Sequence, residues 1–160
     1  MEHLNPAEAT DTFHLFGCNV RYLARSSETN GAYCLCEALV APGAGAPLNR
    51  HPEDDESFYV LDGRFVFTLG DETVEAEAGA YVRVPRGAVH SFLNVGDRPA
   101  RLLVHNTPGR VHDVFFAGVG QPMPKGASEL PPPGPPPTPE QMARAIEIAR
   151  SAGMEILPPE

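Results

Sequence analysis

The 160-residue chain contains no block of Lys or Arg: 12 basic residues face 21 acidic ones, for a formal net charge of -9. Nucleic acids and anionic membrane surfaces both need a basic footprint, so neither is expected as a partner. Long apolar runs are missing too. No stretch approaches the roughly 20 apolar residues of a membrane-spanning helix, and the opening MEHLNPAEAT lacks the basic-then-apolar order of a secretory leader. The expected compartment is cytoplasmic. Cysteine is scarce, with Cys18, Cys34 and Cys36 making an odd count. Cys34 and Cys36 lie two apart in a strand-like segment, without the spacing or partners of a zinc site, so reduced and buried thiols are expected.

What the chain does have is a succession of short strand signals. Residues 19 to 24 and 33 to 40 have β-suited compositions, and PGAGAP at 42 to 47 reads as a break. A meander follows at 56 to 62, 64 to 69, 72 to 77, 80 to 84, 89 to 94 and 101 to 106. Turn pairs such as Asp62-Gly63, Gly70-Asp71 and Gly96-Asp97 separate these segments. Strands at this spacing indicate a sandwich or barrel. Alternation assigns faces: Phe65, Phe67 and Leu69 should point inward, as should Glu56, Phe58 and Val60, and His90, Phe92 and Asn94.

Beyond residue 107 the composition changes. Residues 110 to 118 are read as a short helix with Val111, Val114 and Phe115 on one face. Residues 121 to 139 hold too many prolines for a helix or a central strand and read as an extended linker, a spacer pinned to the domain rather than an SH3 or WW ligand. Thr138-Pro139-Glu140-Gln141 supplies an N-cap, a proline at the first helical position and a capping-box glutamine. Gly153 is placed to end that helix, whose Met142, Ala145, Ile146 and Ala149 share one side. The expected organisation is a β domain over 1–120, a proline-rich linker over 121–139, and a helix and tail over 140–160 packed on the domain.

Chemistry-bearing residues concentrate in two segments, GAGAPLNRHPEDDESFYVLDG (43 to 63) and GAYVRVPRGAVHSFLN (79 to 94). These resemble the two signature motifs of the cupin superfamily, G-x5-H-x-H-x4-E-x6-G and G-x5-P-x-G-x2-H-x3-N. Gly43, His51, Glu56 and Gly63 match the first, with Asn49 where a histidine is expected; Gly79, Pro85, Gly87, His90 and Asn94 match the second. The proline-rich tail is similar to that of small cupins called quercetin 2,3-dioxygenase-like. The resemblance implies an all-β fold, the cupin double-stranded β-helix or jelly-roll β-barrel, and a metal site of His51, Glu56 and His90, with Asn49 either a fourth ligand or a hydrogen-bonding neighbour.

The residue types support that chemistry independently. Positions 49 and 51 share a strand face, Glu56 opens the next strand, and His90 lies on an inward set after the second turn, so donors from several strands can converge. Two imidazoles and a carboxylate suit a divalent metal ion, Fe(II) above all, with Mn, Ni, Co or Zn feasible. Glu56 is also the candidate catalytic base. Phe58, Val60, Phe65, Phe67, Tyr81 and Phe92 are the expected substrate-pocket wall.

Three functions remain open at this point. The first is a quercetinase-like O2-dependent oxidation or ring cleavage of a small aromatic or polyketide-like substrate. The second is a non-oxidative isomerase, cyclase or decarboxylase, and the third a non-catalytic binding protein with an eroded metal site. His3, His14, His105 and His112 read as surface or capping residues, and Glu53, Asp54 and Asp55 as a solvated turn. A homodimer is expected through residues 13 to 25, with Phe13, Leu15, Phe16 and Tyr22 at the interface.

Overall fold

The computed structural model describes residues 12–124 and 127–158. Ten strands come first: β1 (Thr12–Leu15), β2 (Cys18–Ala24), β3 (Cys34–Val40), β4 (Gly45–Arg50), β5 (Asp55–Asp62), β6 (Arg64–Leu69), β7 (Glu72–Glu77), β8 (Tyr81–Val84), β9 (His90–Asn94) and β10 (Ala100–Thr107). Then follow α1 (Arg110–Val119), β11 (Gln121–Pro122), α2 (Pro139–Ala152) and β12 (Glu155–Ile156). One sheet has the order β11-β1-β2-β3-β10-β5-β8 and the other β12-β4-β9-β6-β7.

The expected all-β jelly-roll β-barrel is not what forms. Among the described residues neither sheet closes: β8 has a ladder partner only in β5, and β7 only in β6. Between them the chain turns sharply, with the Ala80 N–H donating to the Glu77 carbonyl at 2.9 Å, so the corner is a turn and no ladder spans it. The result is two open sheets with two α-helices of ten and fourteen residues, a mixed α/β cupin-like architecture. None of the helices is long and apolar enough to cross a membrane among the described residues.

Alternation places the core where the two sheets meet. Phe58, Val60, Phe65, Phe67, Val84 and Leu102 are all at most 2% exposed. Four phenylalanines from β5, β6 and β9 make ring contacts, with centroid separations from 5.0 Å for Phe58–Phe67 to 6.1 Å for Phe65–Phe67. Burying each such side chain stabilises the fold by about 1.5–3 kcal/mol. Cys18, Cys34 and Cys36 are free and buried, in line with the sequence expectation.

The C-terminal helix is built as its caps dictate. Thr138 and Gln141 form the reciprocal capping box, Gly153 closes the helix in the left-handed region, and Ala145 and Ala149 are buried. The proline-rich segment ahead of it is held by the Asn19 side-chain amide, which donates to the Glu129 carbonyl at 2.9 Å. In α1 the buried residues are Val111, His112 and Phe115, whereas Val114 is 53% exposed, so the helix is rotated from the expected phase. Leu15 and Tyr22, expected at a dimer interface, are buried in the chain's own core.

Candidate metal centre

Glu56 is the hub of a buried polar cluster at the start of β5. Its Oε2 lies 2.9 Å from His51 Nε2 and 2.6 Å from His90 Nε2, while its Oε1 lies 3.4 Å from His112 Nε2. All four side chains are at most 5% exposed. His51 follows β4, His90 opens β9 and His112 comes from α1, so both sheets and a helix converge on one carboxylate. His51 and His112 pack edge to face with centroids 4.9 Å apart, and His51 and His90 do so at 5.0 Å.

Each imidazole is oriented by its other nitrogen. His51 Nδ1 lies 3.0 Å from the Asp54 carbonyl, His90 Nδ1 lies 2.8 Å from the Ala88 carbonyl, and His112 Nδ1 lies 3.5 Å from Asp54 Oδ2. All three facing atoms are acceptors, which suits a proton on each Nδ1, and each Nε2 is aimed at Glu56. This is the arrangement in which a neutral imidazole offers its Nε2 lone pair to a metal.

The electrostatics follow from the crowding. Burial pushes the Glu56 carboxyl up, but the neighbouring His112 charge, the hydrogen bonds to His51 and His90, and the His90 charge outweigh it. The net effect holds Glu56 well below the ordinary carboxylate range. For His51 burial works downward, yet the hydrogen bond to Glu56 and its charge, with help from Asp54, raise the imidazole above its ordinary value. Burial likewise opposes ionisation of Asp54, but its contact with His112 and that ring's charge, together with the Gly109 N–H it accepts, overcome this, so Asp54 is lowered. Glu56 therefore stays ionised, the state needed of a metal ligand or a base.

The donor set fits a divalent first-row ion: imidazole nitrogens and one carboxylate, with one donor atom each from His51, Glu56 and His112 lying within 4.8 Å of one another. A second feature lies beside it. Asn106, paired across the ladder with Glu56, has both side-chain amide atoms buried without a hydrogen-bond partner. Leaving such a group unmet costs about 1–3 kcal/mol, and a site of this kind suits a bound water or ligand.

A cavity of about 60 Å³ opens onto the cluster, with Asn49, Glu56, His90 and His112 in its wall beside Phe58, Phe92, Val104, Phe115, Met154 and Ile156. Since one water needs roughly 10–15 Å³ by the same kind of measure, the cavity as it stands has room for only a few waters. Phe58 and Phe92 are in its lining, whereas Val60, Phe65 and Phe67 are buried in the core and do not line it. Tyr81 does not contribute. It is 64% exposed on edge strand β8, because alternation there turns Val82 and Val84 inward.

Asn49 shares the buried face with His51, but its Nδ2 donates to the Pro47 carbonyl at 2.9 Å and the His90 carbonyl at 3.3 Å. The amide ties β4 to β9. His112 and Asp54, read from sequence as surface or solvated residues, are 3% and 1% exposed and belong to the cluster. The available signal for His112 was its helical phase: Val111, His112, Phe115 and Phe116 form one continuous stripe. His14 bonds Asn19 at 2.8 Å and His105 stacks on Tyr33, both away from the site, and His3 lies outside the described residues.

Two open β-sheets carry, at their junction, a buried His/Glu/His cluster with the geometry of a candidate metal site, a cupin-like arrangement. Residues 37–106 match the family model described as Cupin domain. Over 79 residues it is 32% identical to the uncharacterized protein MJ1618 of Methanocaldococcus jannaschii, covering 49% of this chain and 63% of that protein. Over 71 residues it is 35% identical to polyketide synthase CurC of Streptomyces cyaneus, covering 44% of this chain and 46% of CurC. The alignments thus span less than two thirds of these relatives' length. Among solved structures, the polyketide cyclase RemF from Streptomyces resistomycificus superposes with a TM-score of 0.58 at 23% identity, over 68% of this chain and 80% of RemF, a likeness of fold.

Proposed function

We propose that this protein is a metal-dependent cupin enzyme acting on a small, largely apolar molecule of aromatic or polyketide-like type, by O2-dependent oxidation or ring cleavage. The observation that carries the reading is the ionised Glu56, ringed by buried imidazoles, in the wall of an otherwise apolar cavity. His51, Glu56 and His90 would hold the ion, with Asn49 a neighbour that positions His90 through its backbone. A divalent metal there supplies Lewis acidity toward a substrate oxygen and, as Fe(II), one-electron chemistry.

The chain's own groups do the rest. Glu56 accepts a proton at the oxygen it frees when one of its contacts loosens, and its low proton affinity in the resting cluster keeps it available for that role. Phe58 and Phe92 exclude water and present ring edges and faces to an aromatic substrate. Met154 and Ile156, from the C-terminal segment, add to the apolar wall.

A non-oxidative cyclisation or isomerisation is the second reading, favoured by the sequence likeness to CurC and the fold likeness to RemF. It needs only Lewis acidity and the Glu56 base. Protein loaded with Fe(II) and supplied with flavonol, catechol and polyphenolic polyketide substrates separates the readings. Substrate-dependent oxygen uptake that disappears in Glu56→Gln supports oxidation, and product formed under anaerobic conditions supports the second reading. A ligand bound but unchanged would leave a binding protein.

A further inference from the structure

The first histidine that the first cupin motif expects is absent from β4, and its place is taken by an asparagine whose amide nitrogen is engaged by two backbone carbonyls. A third imidazole nevertheless reaches Glu56, from a part of the chain that neither motif covers. We propose that His112 of α1 is a metal ligand, supplying from the helix the donor that position 49 does not. This rests on the reading of the Glu56 cluster as a metal site.

Four observations point the same way. His112 is 3% exposed although it lies on a helix whose residue Val114, two positions on, is largely in solvent. Its Nε2 faces Glu56 Oε1, the carboxylate oxygen that His51 and His90 leave free, since both of those approach Oε2. The Nε2–Oε1 separation of 3.4 Å is too long for a well-formed hydrogen bond. Two donors that each stand ~2.1 Å from a shared tetrahedral ion are, however, ~3.4 Å apart. Finally, one donor atom each from His51, Glu56 and His112 falls within 4.8 Å of the others.

The orientation of the ring is prepared as well. Asp54 Oδ1 accepts the Gly109 N–H at 3.1 Å, and Asp54 Oδ2 faces His112 Nδ1. The same carboxylate thus holds the start of α1 and stands 3.5 Å from the imidazole three residues along it, placed to accept from Nδ1 as carboxylates beside metal-bound imidazoles do. A helix that carries a ligand also gains from the ion. Metal binding should tighten the docking of α1, and with it α2, which packs on α1.

Histidine-selective 15N NMR of the wild-type protein, recorded with and without one equivalent of Zn(II), counts the ligating rings without any substitution. Three imidazoles, including His112, should show the Nε2 shift of metal ligation. Shifts confined to His51 and His90 would overturn the inference while leaving the metal site standing, and no shift in any of the three would remove the metal reading itself. Zn(II) and Co(II) affinity of His112→Gln, set beside His90→Gln, gives an independent readout. Both variants should bind at least tenfold more weakly than wild type, and His112→Gln should change the Co(II) absorption bands. Wild-type affinity and an unchanged Co(II) spectrum in His112→Gln, with binding lost in His90→Gln, would assign His112 a packing role only.

Discussion

Asp54 and His112 face each other across a buried contact, with Oδ2 and Nδ1 3.5 Å apart and the two side chains 1% and 4% exposed. The aspartate belongs to the loop between β4 and β5 and the histidine to α1, so this contact joins the two ends of the candidate site. The other carboxylate oxygen of Asp54 holds the Gly109 N–H at the helix start.

Asp54→Asn should therefore weaken metal binding without touching a proposed ligand. Loss of a carboxylate that orients a ligating imidazole typically costs 10–100-fold in affinity. Competition with a chromogenic chelator measures this directly, and an affinity within twofold of wild type would show that Asp54 serves only the helix start.

Gly109→Ala tests the position of α1. Gly109 has φ 82, and a Cβ there would stand 2.4 Å from Cys34 Cβ, so both the backbone and the packing object. A loss of about 3 kcal/mol in urea unfolding is expected, together with weaker metal binding as α1 is pushed off the sheet. Gly43→Ala, with φ 75 but no atom within 4 Å, should cost less and leave the metal affinity unchanged.

The pH dependence of the metal-free protein follows from three groups. Glu56 and Asp54 are lowered from 4.5 and 3.8, so the stability they contribute is present above those values and is lost as pH falls through their folded values. His51 is raised from 6.5, so its contribution is present below 6.5 and is lost as pH climbs through its folded value. In EDTA, Tm should be highest between 4.5 and 6.5 as far as this cluster decides it. With Zn(II) the trend above that window should reverse, because imidazoles ligate in their neutral form. A metal-free Tm that rises steadily from pH 6 to pH 8 would contradict this.

The cysteines should be inert in the native state. Burial pushes the Cys18 thiol up to about 12 and the Cys36 thiol well above its ordinary value, and all three thiols are free and buried. A chromogenic disulfide reagent at pH 8 should find almost no thiol in folded protein and three per chain after unfolding in guanidinium. Rapid native labelling would mean that the core opens far more readily than its packing indicates.

Assembly remains to be measured. The two sheets end in the edges β8, β7, β11 and β12, and unpaired strand edges are sites of association. Light scattering should give twice the monomer mass of 17.2 kDa at micromolar concentration. A mass of one chain would end the homodimer reading.

How much of this could be read from the sequence depended on how local its cause was. Alternation within single strands is local, so the inward sets Glu56, Phe58, Val60 and His90, Phe92, Asn94 are buried as expected. The capping box at Thr138 and Gln141 is local too, and it forms. The two motifs carried the cupin resemblance because their spacings fix which strand faces share a side. The run PGAGAP at 42 to 47 reads as a break, yet Gly45 to Pro47 already belong to β4. In the fold Gly45 lies so close to β9 that a Cβ would stand 1.8 Å from the Phe92 carbonyl oxygen, and only the partner strand reveals that. Sheet closure was likewise undecidable locally, since it depends on whether β7 and β8 pair across a corner. The entry of His112 and Asp54 into the site needed the most tertiary information. The rotation of α1 is set by what it packs against, and a turn of one residue in phase moves a histidine from solvent to the Glu56 carboxylate.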